Sequence, residues 1–214
     1  MSGPAPCLVT HASCPPLMPY HLPRHETFCL VDSVPHCPVQ GTLESNLFEG
    51  EPVIRAYNAL GYTASAVGNH EFDYGPVGPD SVVRGPGQDP LGALERNAGL
   101  ARFPFLSANM VEKATGKTPA WARPWIMVDA AGAKIAVVGL STPDTPNTTV
   151  YSNVSTLAFT DPVEAVIRSS REARAAGADA VVVAGHMGGR CTDLQDVHDV
   201  ASCDQRSLQF NRGQ

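Results

Sequence analysis

One stretch constrains this chain more than any other: a short apolar run that ends in a glycine and leads into reactive polar side chains. Residues 64–67 are small and uncharged and precede Gly68, a pattern typical of a buried β-strand that ends at a turn. An amide, an imidazole and two carboxylates then occur within residues 69–73. Ligands of open α/β sheets bind at the C-terminal ends of strands. The stretch therefore predicts an α/β fold whose functional site starts directly after this strand.

The side chains that follow the strand have complementary chemistry. Asn69 offers a carbonyl oxygen to a metal ion, and His70 can bind a metal or donate a proton. Asp73 lies three residues further on, where its carboxylate can hold the imidazole in one orientation. The same residues also fit an ordinary turn with a hydrogen-bonded histidine, so the rest of the chain has to decide between the two interpretations.

Three helices are expected from capping signals and periodicity. Residues 51–61 place apolar side chains along one face, with a proline in the first turn and a glycine at the end. Asp161 and Pro162 are typical of a helix start, and that helix should end near Gly177. A shorter helix at residues 89–97 begins with the same Asp-Pro signal.

Apolar runs predict the remaining strands. Residues 103–109 form a short one, and residues 125–129 and 134–140 should pair as a hairpin, because a loop that contains glycine joins them. Residues 180–184 are apolar throughout and should form a fully buried strand that ends at His186.

The predicted arrangement brings two of these strand ends together. We expect residues 64–67, 134–140 and 180–184 to lie in one sheet of a three-layer α/β arrangement, since each run is short, apolar and followed by a glycine-bearing loop. Asn69 and His186 should then lie at the same edge of that sheet. By itself, His186 also fits a histidine of the core.

The hexapeptide at residues 68–73, Gly-Asn-His-Glu-Phe-Asp, resembles the central motif of the calcineurin-like metallophosphoesterases and is similar to the form found in their 5′-nucleotidase branch. Four further segments occur in the order of that branch: residues 40–42, 58–62, 107–109 and 185–189. The resemblance covers about residues 40–204. It implies a layered β-sheet sandwich flanked by helices, here as a partial domain. It also implies an enzyme that hydrolyses phosphate esters such as nucleotides with a metal-activated water.

The resemblance also implies roles for individual residues. Asn69 would bind one of two divalent ions through its side-chain oxygen, and His186 would be a ligand of the second ion. His70 would lie over the phosphate, where it stabilises charge or protonates the leaving group, with Asp73 as its partner. Glu71 would support the loop. The ions would be Zn, Mn or Mg, and mixed nitrogen and oxygen ligands favour the transition metals.

The chain departs from the family in its ligand set. The Asp-x-His, Gly-Asp and Gly-His-x-His motifs that supply most of the family's ligands are absent, and Asp32 is the nearest carboxylate to the expected Gly-Asp position. Asn69 and His186 are therefore the matching ligands that remain. We expect the chain to bind divalent metal weakly and to hydrolyse phosphate esters poorly or not at all. The alternative function is a catalytically inactive fragment or a non-enzymatic domain.

The two ends differ in composition from the middle, which predicts three parts. Residues 1–38 are rich in Pro, Cys and His and lack periodicity, as in an irregular leader. A Cys/His zinc module there stays an alternative, although the ligand spacing is unlike the common zinc sites. Residues 28–32 could form a short strand. Residues 39–204 form the partial metallophosphoesterase domain, and residues 205–214 form an atypical tail.

Charge and hydropathy restrict the partners. The net charge is −6, with no block of basic residues, which excludes a nucleic-acid backbone as the main partner. No apolar run approaches the ~18 residues of a membrane span. A small phosphate ester or nucleotide remains as partner. In the resembling enzymes a separate C-terminal domain recognises the base, and we expect that domain to be missing from this sequence. Those enzymes are usually exported, whereas no signal peptide is visible here.

Three local features add expectations. Cys191 and Cys203 flank a polar loop and could form a disulfide in an exported protein. Asn147 and Asn153 each begin a glycosylation sequon, a pattern that also arises by chance. Residues 188–190 are either a flexible connector, which we favour, or a substrate-facing turn.

Overall fold

A computed structural model describes residues 28–31, 43–130, 132–188 and 192. Several expectations concern residues outside these ranges: the N-terminal zinc module, the domain boundaries near residues 38 and 204, and the Cys191–Cys203 pair.

Within the described ranges the chain alternates strands and helices. The strands are β1 (Phe28–Val31), β2 (Ser65–Ala66), β3 (Phe105–Leu106), β4 (Met110–Glu112), β5 (Ala122–Arg123), β6 (Trp125–Ala130), β7 (Ala133–Ser141), β8 (Leu157–Phe159) and β9 (Ala180–His186). The helices are α1 (Leu43–Leu47), α2 (Glu51–Leu60), α3 (Gly92–Leu100), α4 (Thr145–Thr148) and α5 (Pro162–Ala175).

The strands form three sheets. The largest has the order β1-β9-β7-β6, in which β1, β9 and β7 are parallel and β6 is antiparallel to β7. The second has the parallel order β2-β3-β5, and the third is the antiparallel pair β4-β8. The predicted α/β fold is confirmed, as are the hairpin of β6 and β7 and a strand at residues 28–31.

The predicted placement of residues 64–67 is wrong in one respect. Strands β7 and β9 share a sheet as expected, but β2 belongs to the second sheet, where the amide of Val67 donates to the carbonyl of Leu106 at 3.0 Å. Strand β3 passes so close to Gly139 on β7 that an added Cβ would lie 2.3 Å from the Leu106 carbonyl carbon. The two sheets therefore meet at a glycine, whose lack of a side chain allows the approach.

The helices follow their capping signals. Helix α2 is capped by Gly61, which directly follows it and has a φ of 74°, so that the position needs the freedom of glycine. Helix α5 begins at Pro162, and the carboxylate of Asp161 accepts hydrogen bonds from the two amides that follow this proline, at 2.8 and 3.0 Å. Helix α3 begins at Gly92, later than the Asp-Pro signal at residue 89 indicates. None of the described helices is long and apolar enough to span a membrane.

Two apolar clusters form the core. One lies between α5 and the largest sheet. The other includes Ile54, Val67 and Phe72 and packs around the second sheet. Phe72 is 1% exposed and meets Phe159 edge to face at a centroid distance of 6.0 Å. Burial of such a side chain stabilises a fold by roughly 1.5–3 kcal/mol. Because Phe72 lies two residues from His70, core packing anchors the polar loop.

Candidate active site

Three strand ends converge at one edge of the molecule. Strand β2 leads into the 68–73 loop, β7 leads into residues 142–149, and β9 ends at His186. Ser141 is the register partner of His186 across β7 and β9. The hydroxyl of Ser141 donates to the carbonyl of Val67 at 2.7 Å and so ties the end of β7 to the end of β2. This edge is where the polar side chains of the sequence motifs meet.

A buried polar network on the interior side of these strand ends holds them in place. Asn109 accepts from the amide of Ser141 at 2.9 Å and donates to its carbonyl at 2.8 Å. The hydroxyls of Ser107 and Ser141 lie 2.8 Å apart, and all three side chains are fully buried. Satisfied buried networks of this kind hold a single geometry, because each group would lose its partner on moving. Sequence analysis placed residues 107–109 in a short strand and used them as a family marker, but it missed this role.

Asn69 and His186 meet at this edge, as predicted. Nε2–H of His186 donates to the side-chain oxygen of Asn69 at 2.9 Å, since an amide oxygen can only accept. The amide nitrogen of Asn69 donates to the carbonyl of Thr148 at 2.8 Å. Because a carbonyl can only accept, this bond fixes the amide so that its oxygen faces His186. The loop after β7 therefore sets the orientation of a proposed metal ligand.

The Asn69–His186 pair fits part of a metal coordination sphere. Metal–ligand distances are about 2.1 Å, so two neighbouring ligands of one ion lie about 3 Å apart. An amide oxygen and a deprotonated imidazole nitrogen together suit a borderline transition metal, which would take the place of the proton that Nε2 donates to Asn69. Across the described ranges, no group of three or more His, Cys, Asp and Glu side chains could hold an ion. Further protein ligands would have to come from outside those ranges.

His70 and Asp73 form the second element of the site. Nδ1 of His70 lies 2.6 Å from Oδ2 of Asp73, and their side chains are 35% and 18% exposed. The other carboxylate oxygen of Asp73 accepts from the hydroxyl of Thr149 at 2.8 Å. With Nδ1 engaged, Nε2 is the ring nitrogen that can act on a bound molecule. The predicted pairing is present, whereas Thr149 was not predicted.

Glu71 is buried behind the loop. Its Oε2 accepts from the amide of Gly68 at 2.6 Å, and Oε1 has no hydrogen-bond partner among the residues that the structure describes. Burial raises the pKa of Glu71 to about 7, since the charged form has lost its water; the Gly68 amide opposes this shift and Asp73 adds to it. The expected supporting role of Glu71 agrees with the bond that closes the turn.

A second asparagine braces the far side of the loop. Asn153 is fully buried, and its amide nitrogen donates to the carbonyls of Phe72 at 2.8 Å and Ser81 at 2.9 Å. The sequon that begins at Asn153 is therefore inaccessible to glycosylation in the folded protein. The other sequon asparagine, Asn147, is exposed. Sequence analysis considered Asn153 only as a sequon and missed this bracing role.

Comparison with known proteins decides the family. No family model matches the chain. Protein UshA of Escherichia coli (strain K12) is 34% identical over 151 residues, which cover 69% of this chain and 24% of UshA. The 5′-nucleotidase of Vibrio cholerae serotype O1 is 35% identical over 149 residues, again 69% and 24%. The crystal structure of a 5′-nucleotidase precursor from Thermus thermophilus superposes with a TM-score of 0.57 at 32% identity, covering 69% of this chain and 26% of that one. The chain belongs to the 5′-nucleotidase branch of the calcineurin-like metallophosphoesterases.

The chain spans about a quarter of the length of the curated 5′-nucleotidase relatives it matches. Within this chain, the loop at residues 68–73 and the strand end at His186 are the elements that the structure brings to one edge.

Proposed function

We propose that this chain carries a metal-dependent phosphoester hydrolase site of the 5′-nucleotidase type. The observation that carries the proposal is the pairing of Asn69 with His186 beside the His70–Asp73 pair, at one edge where three strand ends meet. One pair is suited to hold a cation and the other to move a proton. A phosphate ester needs both, because negative charge develops in its transition state.

Asn69 and His186 would hold a divalent ion. The family resemblance assigns them to different ions, but their 2.9 Å separation supports a single shared ion. Such an ion, when bound, lowers the pKa of a bound water toward ~7 and polarises phosphoryl oxygens. A second ion, as the family implies, would need ligands from outside the described residues. Zn, Mn and Mg all remain candidates, and the nitrogen ligand favours Zn or Mn.

His70 would act on the phosphate or on the leaving group. Asp73 accepts from Nδ1 and fixes the ring, so Nε2 faces the reaction as proton donor or charge stabiliser. A positioned acid of this kind contributes typically 10²–10⁴-fold to the rate. Asp73 itself acts through His70.

The substrate class follows from the net charge of the chain and from the charge of a cation at the site. A chain with a net charge of −6 does not attract a long polyanion, whereas a cation at the site neutralises one phosphate locally. We therefore propose a small phosphate monoester or nucleotide as substrate, with base recognition by a domain that the longer relatives contain. One matched structure is named a precursor. Precursors are typical of exported proteins, which supports an exported location.

The alternative is a domain that keeps the fold and lacks turnover. The observation in its favour is the ligand count, since the described residues bring two neutral candidate ligands together and include no group of three or more His, Cys, Asp and Glu side chains that could hold an ion. Two divalent ions about 4 Å apart and without bridging anions repel by roughly 16 kcal/mol at an effective dielectric near 20, four times the value for unit charges.

Hydrolysis by the purified chain separates these functions. An aryl phosphate and a nucleoside 5′-monophosphate are incubated with the chain and added Mn²⁺ or Zn²⁺. The proposed function predicts slow turnover that needs the ion and that His70→Ala abolishes. Absence of turnover while the ion is bound would assign the chain to the inactive alternative.

A further inference from the structure

Both carboxylate oxygens of Asp73 are engaged, and the second partner comes from a distant part of the chain. Oδ2 lies 2.6 Å from Nδ1 of His70, and Oδ1 lies 2.8 Å from the hydroxyl of Thr149. An ionised carboxylate has no proton to give, so the threonine hydroxyl donates. Thr149 is 76 residues away in sequence. The contact therefore exists only because the loop after β7 reaches the loop after β2.

We propose that Thr149 is a positioning residue that holds Asp73, and through it His70, in the working orientation. The proposal rests on the function proposed above. With a donor on each oxygen, the carboxylate cannot rotate without losing a charge-assisted hydrogen bond, a stronger kind than one between neutral groups. The bond at Nδ1 decides which ring nitrogen carries the proton in neutral histidine. Thr149 thus favours the tautomer of neutral His70 with hydrogen on Nδ1, which leaves Nε2 to take up the proton that it donates when the ring acts as an acid.

Thr149 is itself held in place. It follows α4 with extended backbone angles, φ −137° and ψ −172°. The preceding carbonyl, of Thr148, accepts from the side-chain amide of Asn69 at 2.8 Å. At the start of α4, buried Thr145 donates to the carbonyl of Thr142 at 2.6 Å. One short segment therefore orients both a proposed metal ligand and the carboxylate that holds His70.

A purely structural role for Thr149 makes a different prediction. If the hydroxyl of Thr149 does no more than satisfy one hydrogen bond, its removal lowers stability and leaves the tautomer of His70 unchanged. If it positions Asp73, removal shifts the proton of neutral His70 toward Nε2. An aspartate that loses its charge at such a position leaves the histidine in the wrong tautomer. Asp73→Asn therefore provides the reference for complete loss of positioning.

The test is ¹⁵N NMR of the full chain with labelled histidine, free of metal, at about pH 9, where histidine is neutral. The signals of His70 are assigned by their absence in His70→Gln. Thr149→Val removes the hydroxyl at nearly constant shape, and Thr149→Ser retains it. Thr115→Val is the matched control, because Thr115 donates to the carboxylate of Glu112 at 2.8 Å on an exposed turn.

The proposal predicts that neutral His70 is mainly in the Nδ1–H form in the wild type, in Thr149→Ser and in Thr115→Val. Thr149→Val should lose that majority and move toward Asp73→Asn. A folded Thr149→Val with the wild-type tautomer would overturn the proposal. Should that variant fail to fold, Thr149→Ala is measured in the same way and judged by the same criterion.

The measurement is independent of turnover. If the chain hydrolyses no phosphate ester, the proposed function fails while the tautomer result still decides the role of Thr149. If turnover is present, Thr149→Val should lower kcat with little change in KM, and Thr149→Ser should restore it. Failure of the proposed function can therefore be distinguished from failure of the role proposed for Thr149.

Discussion

The side-chain oxygen of Asn69 lies 2.9 Å from Nε2 of His186, although the two residues are 117 positions apart. Asn69 follows β2 of the second sheet, whereas His186 ends β9 of the largest sheet. The ligand pair is thus assembled across two sheets. Its geometry depends on how closely those sheets approach at Gly139.

Gly139→Ala should separate the sheets and destabilise the protein. Its Cβ would lie 2.3 Å from the carbonyl carbon and 2.4 Å from the carbonyl oxygen of Leu106, and backbone atoms in a core cannot give way cheaply. We expect the free energy of unfolding, measured by urea denaturation, to fall by about 1–3 kcal/mol or more.

Gly99→Ala is the matched control. Gly99 lies within α3, and an added Cβ meets nothing within 4 Å. Alanine is about 0.5–1 kcal/mol better than glycine in a helix, so this variant should gain stability. Equal stability of the two variants would show that the sheets do not depend on the close approach.

Glu71 should make stability depend on pH. Burial raises its pKa from 4.5 to about 7 in the folded state, so the folded state binds this proton more tightly than the unfolded state does. Below about pH 4.5 both states are protonated and nothing is lost. Between about 4.5 and 7 the stability falls with rising pH, and above 7 the loss is constant. The difference between these two pKa values corresponds to at most about 3 kcal/mol.

Glu71→Gln isolates this effect, because glutamine is neutral at every pH. The wild type and the variant are unfolded in urea with a chelator present, at a series of values from about pH 4 to 8. The difference in unfolding free energy, wild type minus variant, should become more negative across the window. Parallel curves would mean that the carboxyl of Glu71 is not the group responsible.

Asn153 should be a structural residue and Asn147 a surface one. Asn153→Ala leaves the carbonyls of Phe72 and Ser81 without their buried donor, at an expected cost of about 1–3 kcal/mol. Asn147→Ala removes one exposed contact, to Asp144, and should change stability by less than about 0.5 kcal/mol. Thermal unfolding of the two variants compares them directly, and similar melting temperatures would refute the bracing role.

Local patterns predicted much of the fold. The cap at Asp161 and the glycine at residue 61 set helix ends that the structure confirms, because capping depends on neighbouring residues. The partner of β2 could not be predicted this way. An apolar run shows that a strand is buried but does not show which strand it pairs with, and β2 pairs with β3.

The candidate site shows the same difference between features that the local sequence marks and features that depend on tertiary contacts. A family motif and strand-end positions mark Asn69, His70, Asp73 and His186 in the sequence, and the structure brings them into two pairs, Asn69 with His186 and His70 with Asp73. The hydrogen bond from Thr149 to Asp73 spans 76 residues, and no spacing rule indicates it. The candidate residues could thus be named from the sequence, whereas their tertiary contacts could not.

The central claim, that Asn69 and His186 share one ion, is tested most directly by Mn²⁺ binding followed by electron paramagnetic resonance. Each of Asn69→Ala and His186→Ala should weaken the same site, by more than the ~10–100-fold that loss of an outer-shell partner costs. The double variant should then be little worse than either single one, and His70→Ala should still bind the ion. If each single variant instead keeps an ion that the other loses, the two residues hold different ions and the account is contradicted.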